Sequence, residues 1–310
     1  MTRSDEPNAA VTASSEYVSF RERLLQRPSD PSASMEAVRS GYEAHAQAMS
    51  NRDLDVSVRS DLLGAIPVEI HEPDVRSDGD VMLYFHGGGY CIGSLATHRS
   101  MCGALAEAAE VTVIAVDYRL APEHPFPAAY HDALAAYQAL TESPLADKHV
   151  IVAGDSAGGG LALATILGAA NAGLREPSCG VLISPMTNLS VGGGSYLTRA
   201  DDDPIVSLAA ARRYATAYLD GGDPTDPRAS PVYADLSGLP PMHVQVGADE
   251  VLLNDSLLIA RAMREAGVRV DLDVWPYGLH VLPFFESRLP EGRRALESVA
   301  RYVRSRCREG

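Results

Sequence analysis

The stretch "HVIVAGDSAGGGLALATILGAA", residues 149–170, decides the fold. It opens with an apolar run of β-branched residues, turns through Gly154-Asp155-Ser156-Ala157-Gly158, and leaves in an alanine- and leucine-rich run of helical character. The turn fits G-x-S-x-G. Small residues on both sides of the serine let a strand bend sharply into a helix and present the hydroxyl at the helix amino terminus. A strand feeding a helix in this way predicts an α/β sheet with a nucleophile at its carboxyl edge.

Outward from this stretch the same alternation continues. From "LDVSVRSDL" (54–62) onward, strands are expected at 68–72, 81–86, 111–117, 149–154, 179–184, 242–247 and 268–275, with helices near 98–110, 127–141, 157–172, 254–267 and 291–306. Several of these strands are apolar on both faces, as parallel strands covered by helices on both sides tend to be. The expected fold is a mostly parallel sheet of about eight strands flanked by helices. Two segments interrupt the pattern. Residues 1–52 carry a polar tail and two helical stretches, "EYVSFRERLLQ" and "SMEAVRSGYEAHAQAMS". Residues 186–222 form an insertion too long for a plain connection and hold a helix of their own. Both are read as cap, with the core divided into 53–185 and 223–310.

A serine hydroxyl needs a base to take its proton and a third group to orient that base. In strand–turn–helix nucleophile folds the acid follows the serine in the chain and the histidine comes last. After Ser156 the histidines are His243 and His280. His243 sits inside a strand and reads as a packed imidazole. His280 follows the final strand in a loop broken by Pro276 and Gly278, and is the expected base. For the acid, "VQVGADEVLLNDS" offers Asp249, Glu250 and Asp255. Asp249 follows the strand most closely and is the choice; Asp255 falls where it could cap the next helix. The oxyanion formed on attack needs N–H donors, and "FHGGGY" (85–90) offers a glycine run after a strand, with His86 bracing the loop and the Ala157 N–H adding a further donor.

Taken in order, "HGGGY" (86–90), "DYRLAPEHPFPAA" (117–129), "GDSAGGGLA" (154–162), "SPMTNLS" (184–190), "LPPMHVQVGADEVLLND" (239–255) and the "GLH" ending at His280 resemble the hormone-sensitive-lipase-like, bacterial family IV, carboxylesterases of the α/β-hydrolase superfamily. The resemblance runs from about residue 54 to 285, and is nearest the monoterpene ε-lactone hydrolase-like branch. It implies a triad of Ser156, Asp249 and His280; an oxyanion hole from Gly88, Gly89 and Ala157, with Gly87 supporting the loop; and a helical cap. There are departures. Asp249-Glu250-Val251-Leu252-Leu253 stands where the family often has Asp-Pro-Leu-x-Asp, Met186 and Asn188 replace the usual Trp and Asp of "SPWTDL", and "HVLPFF" replaces a shorter ending.

The implied function is a serine hydrolase cleaving short to medium acyl esters or lactones through an acyl-enzyme on Ser156. Two alternatives stand beside it: deacetylation of an N- or O-acetylated secondary metabolite, and a non-catalytic small-molecule receptor, which would not need His280. Tyr90, Met186, Leu189 and Tyr42 are candidates for substrate contact, with Tyr17, Phe20 and Met49 either in the same cleft or holding the cap helices to the core.

Composition narrows the partners. The 310 residues are 46% hydrophobic, enough for a substantial core. A net charge of −15 opposes binding to phosphate backbones and anionic lipid. Cys91, Cys102, Cys179 and Cys307 show no paired spacing, so neither a zinc site nor a disulfide framework is expected. No secretory signal or membrane span is read from the sequence. The expectation is a cytoplasmic enzyme without metal or cofactor, binding a small ester or lactone and neither nucleic acid nor membrane, with a homodimer admitted.

Overall fold

The computed structural model describes residues 12–26, 33–49, 54–76, 80–144 and 149–307. Of the expected cap segment 1–52, residues 1–11, 27–32 and 50–52 lie outside the described residues. Eight strands form one sheet in the order β1-β2-β4-β3-β5-β6-β7-β8. They are β1 (Val56–Leu63), β2 (Ile66–Pro73), β3 (Val81–Phe85), β4 (Thr112–Val116), β5 (Val150–Asp155), β6 (Cys179–Ile183), β7 (Met242–Gly247) and β8 (Val270–Trp275). β2 pairs antiparallel with β1 and β4; the remaining pairings are parallel.

Strands β3, β5 and β6 are buried along their whole length and β4 at every residue but Thr112, which explains their continuous apolar sequence. Helices α3 (Leu95–Ala109) and α9 (Pro290–Cys307) belong to the layer that covers Met82, Tyr84, Ile151 and Val181. Helices α4 (Ala128–Thr141), α5 (Ala157–Asn171) and α8 (Leu253–Glu265) pack with the opposite face, where Leu83, Phe85, Val152 and Leu182 are buried. Burying both faces removes apolar surface worth about 25 cal/mol per Å².

The register sets the site. Phe85 of β3 lies opposite Gly154 of β5, Asp155 opposite Ile183 of β6, and Gly247 of β7 opposite Trp275 of β8. The loops leaving these parallel strands therefore emerge along one edge, the usual place for a ligand in an α/β sheet.

The segments outside the alternation supply α1 (Ser15–Leu25) and α2 (Met35–Met49) before the sheet, and α6 (Ser195–Thr198) and α7 (Leu208–Leu219) after β6. They are tied down by polar contacts as well as apolar ones. The Arg39 side chain of α2 donates to the carbonyls of Cys91 and Ala121 at 2.8 and 2.9 Å. Arg213 of α7 donates to the Ala33 carbonyl at 2.6 Å, joining the insertion to the amino-terminal segment. Phe20 of α1 meets Phe285 edge-on, with centroids 5.3 Å apart.

Candidate active site

Ser156 stands between β5 and α5 with φ 53° and ψ −120°. A non-glycine residue rarely adopts such a positive φ, and the conformation costs of order 1–3 kcal/mol. Backbone contacts hold it: the Ser156 N–H donates to the Ile183 carbonyl at 2.8 Å, and the Ser156 carbonyl accepts from Met186 at 2.8 Å and Gly159 at 3.0 Å. Gly158 has to be glycine because a Cβ there would run into the backbone oxygens of Phe85 and His86. The glycines of the motif thus allow the turn to nest against the end of β3.

The carboxylate that meets His280 is not the one expected from the sequence, Asp249, but its neighbour Glu250. His280 Nδ1 lies 2.7 Å from Glu250 Oε2, and no hydrogen bond links His280 to Asp249 among the described residues. Glu250 is buried, and its other oxygen accepts from the Gly247 N–H at 2.6 Å and from Ser184 Oγ at 2.8 Å. Ser184 Oγ in turn accepts the Val281 N–H at 3.1 Å, so one hydroxyl braces both the carboxylate loop and the histidine loop. The physical reason for the correction lies in the tight turn after β7. The Gly247 and Gly278 backbones meet where any Cβ would collide, and the turn carries residue 250 inward beneath the imidazole. Asp249 is left half-buried in the field of Arg21 of α1, with burial lifting its carboxyl above the usual range. Asp255 is not a helix cap either. It is buried and accepts the Thr187 and Asn188 N–H groups at 3.1 and 3.2 Å, and burial raises its pKa to about 7.

Burial of His280 disfavours its protonated form, but the Glu250 hydrogen bond and charge, followed by the charges of Asp203 and Asp155, outweigh that and raise its pKa above 6.5. His243 is a core residue: it is buried, stacks on Tyr302 at 4.9 Å, and burial lowers its pKa to about 4.

The glycine loop after β3 is fixed from behind. The Gly87 N–H donates to Asp155 Oδ1 at 2.9 Å, and Tyr84 Oη donates to the same oxygen at 2.7 Å. His86 stacks on Tyr118 with centroids 4.4 Å apart, and Tyr118 Oη donates to the His86 carbonyl at 2.7 Å. Burial, then the neighbouring His98, lowers the His86 pKa to about 4, so this imidazole is a neutral brace near pH 7. With the Gly87 N–H engaged, the N–H groups of Gly88, Gly89 and Ala157 remain without a protein acceptor among the described residues. Gly88 and Gly89 line the cavity, while Ala157 is buried at the start of α5.

Ser156, His280, Gly88 and Gly89 open onto a cavity of about 480 Å³. Of the four side chains expected to meet substrate, Tyr42 and Met186 are among its lining residues. Tyr90 and Leu189 are not: Tyr90 is buried face-to-face on Tyr218 at 3.9 Å, and Leu189 belongs to the core. Phe20, Tyr17 and Met49 pack in the layer that holds α1 to the core. The walls that sequence reasoning missed come from Leu24 of α1, Val38 of α2, Ile205 and Val206 of the insertion, Tyr214 of α7, and Phe284 and Phe285 after His280. The unusual "HVLPFF" ending carried a signal for the last two. The walls are mostly apolar, so the cavity suits an uncharged, largely hydrocarbon ligand.

Residues 82–284 match the family model described as the alpha/beta hydrolase fold. An acetyl-hydrolase of Streptomyces hygroscopicus is 44% identical over 235 residues, covering 76% of this chain and 79% of that protein. An esterase of Acinetobacter venetianus is 37% identical over 226 residues, covering 73% and 75% of the respective chains. The crystal structure of an esterase from the bacterial hormone-sensitive lipase family superposes with a TM-score of 0.91 at 37% identity, covering 96% of this chain and 100% of that one.

Proposed function

Because this chain belongs to the alpha/beta hydrolase fold family and is a carboxylic-ester hydrolase of the hormone-sensitive lipase group, we propose that it acts through an acyl-enzyme on Ser156, with His280 as base and Glu250 as acid. The observation that carries this reading is the short bond from His280 Nδ1 to Glu250 Oε2 beside a cavity that Ser156 and His280 share. That bond fixes the tautomer in which Nε2 carries the lone pair. Nε2 takes the Ser156 proton as Oγ attacks the ester carbonyl. The tetrahedral oxyanion is held by the N–H groups of Gly88, Gly89 and Ala157, each worth a few kcal/mol in such sites. The imidazolium then gives its proton to the departing alkoxide, and water repeats the sequence to release the acid.

The substrate in this reading is an uncharged ester of short to medium acyl length or a lactone, and residues 1–52 and 186–222 act as its cap. A second reading, cleavage of an acetyl group from a larger metabolite, is favoured by the similarity to the Streptomyces acetyl-hydrolase. The acetyl group would then sit at Ser156 and the remainder of the molecule would fill the cavity. The enzyme works in the cytoplasm, a placement supported by buried, free Cys91, Cys102 and Cys179. A homodimer is compatible with this reading, since β8, which among the described residues pairs with β7 alone, lies at the sheet's edge. No helix among the described residues is long and apolar enough to cross a membrane. The test is hydrolysis of p-nitrophenyl acyl esters by Ser156→Ala: kcat should fall by about 10⁴-fold or more at unchanged Tm. Wild-type rates in the purified variant would refute the reading.

A further inference from the structure

The cap insertion grips the peptide next to the proposed acid from both sides. Asp203 Oδ2 accepts the Val251 N–H at 3.0 Å. Ser195 Oγ donates to the Val251 carbonyl at 2.5 Å and accepts the Asn254 N–H at 2.8 Å. Val251 follows Glu250 directly, so two side chains of the insertion hold the backbone that carries the carboxylate toward His280, in addition to the contacts that Glu250 makes with Gly247 at the end of β7. The other oxygen of Asp203 accepts the Ile205 and Val206 N–H groups at 2.9 and 3.0 Å, and both of those residues are walls of the cavity. Asp203 is buried, and Val251 is fully buried. A single carboxylate therefore sets the substrate wall with one oxygen and the acid loop with the other.

We infer that Asp203 is a positioning residue, a cap carboxylate that aligns Glu250 with His280 by holding the residue-251 peptide, and so makes the triad's geometry depend on the seating of the cap. A small displacement of a reacting group costs heavily in rate, and the two hydrogen bonds at residue 251 restrict that displacement. The charge has a second effect. The acidic groups acting on His280 are Glu250 from the loop after β7, Asp203 from the cap and Asp155 from the end of β5. Asp155 has its own partner in His98, at 3.3 Å. Arg21 and Arg199 bear on Asp249 instead. Removing the Asp203 charge leaves the imidazolium less stabilised, and the pH at which His280 loses its proton falls.

The inference rests on the proposed acyl-enzyme reaction, and its test is arranged to fail separately from it. The pH dependence of kcat and kcat/KM for p-nitrophenyl butyrate is measured in Asp203→Asn, Ser195→Ala and the exposed neighbour Asp201→Asn, together with Tm. Asp203→Asn should lower kcat by roughly tenfold and move the acid limb of kcat/KM down by roughly half a pH unit. Ser195→Ala, which keeps the charge, should lower kcat with the limb in place. Asp201→Asn should match the wild type in both. A Tm loss in Asp203→Asn with wild-type kcat and an unmoved limb would reduce Asp203 to a structural residue and overturn the inference. So would an equal limb shift in Asp201→Asn. Should Asp203→Asn not fold, Ser195→Ala decides, and wild-type kcat in it overturns the inference. Wild-type rates in Ser156→Ala would instead remove the reaction on which the inference depends.

Discussion

Between two adjacent carboxylates, Asp249 and Glu250, the side chain that reaches His280 is the longer one, from the position one residue further from the strand. Glu250 has all three of its donors inside the protein, Gly247, Ser184 and His280, whereas Asp249 is half-buried toward the cap. The two should therefore separate cleanly by substitution. Glu250→Gln should lower kcat by about 10³-fold or more, since an amide cannot stabilise the imidazolium; Asp249→Asn should stay within about threefold of wild type. The pH profile adds a signed check. The base must be neutral to act, so kcat/KM falls as His280 protonates, and its raised pKa puts the acid limb above 6.5. In Glu250→Gln the largest stabilising contribution to the imidazolium is lost, and residual activity should show a limb at lower pH. A dominant loss in Asp249→Asn would return the acid to the position nearest the strand.

At the scale of elements, the cavity is built by segments that have no strand of their own. Leu24 of α1, Val38 of α2 and Tyr214 of α7 come from the two stretches that break the α/β alternation, and they converge over Ser156. In the proposed reading the sheet's edge supplies the reaction and these segments supply the shape. Enlarging a cap wall should change which acyl chain fits while leaving the reaction intact. Leu24→Trp should cost roughly tenfold in kcat/KM for a decanoyl ester and less than about threefold for an acetyl ester. An equal loss on both, at equal stability, would mean that Leu24 does not meet the acyl chain. The insertion plays a second part through Ser195 and Asp203, which reach past the cavity to the acid loop.

For the whole molecule, the sheet and the places of Ser156 and His280 at its carboxyl edge are legible because each rests on local rules. β-branched apolar runs give parallel strands, a small-residue turn gives the elbow at Ser156, and a proline- and glycine-broken loop after β8 frees His280. The segments that supply α1, α2, α6 and α7 are legible as breaks in that order. What could not be read locally was any choice made by residues distant in the chain. The selection of Glu250 depends on Ser184, 66 positions away, and on the contact of Gly247 with Gly278. Tyr90 adjoins the glycine loop in sequence yet is held away from the cavity by its stack on Tyr218, across 128 positions of chain. Asp203, in a polar run with Asp201 and Asp202, gave no sign of the peptide it grips.

The central claim is that one serine on one strained turn becomes acylated, and intact-protein mass spectrometry during turnover of a p-nitrophenyl ester tests it most directly. The account predicts an added mass equal to the acyl group, mapped to the peptide containing Ser156, prolonged in His280→Ala if that variant still acylates and absent in Ser156→Ala. Acylation mapped to another residue, or steady hydrolysis by Ser156→Ala with no adduct in the wild type, would contradict it.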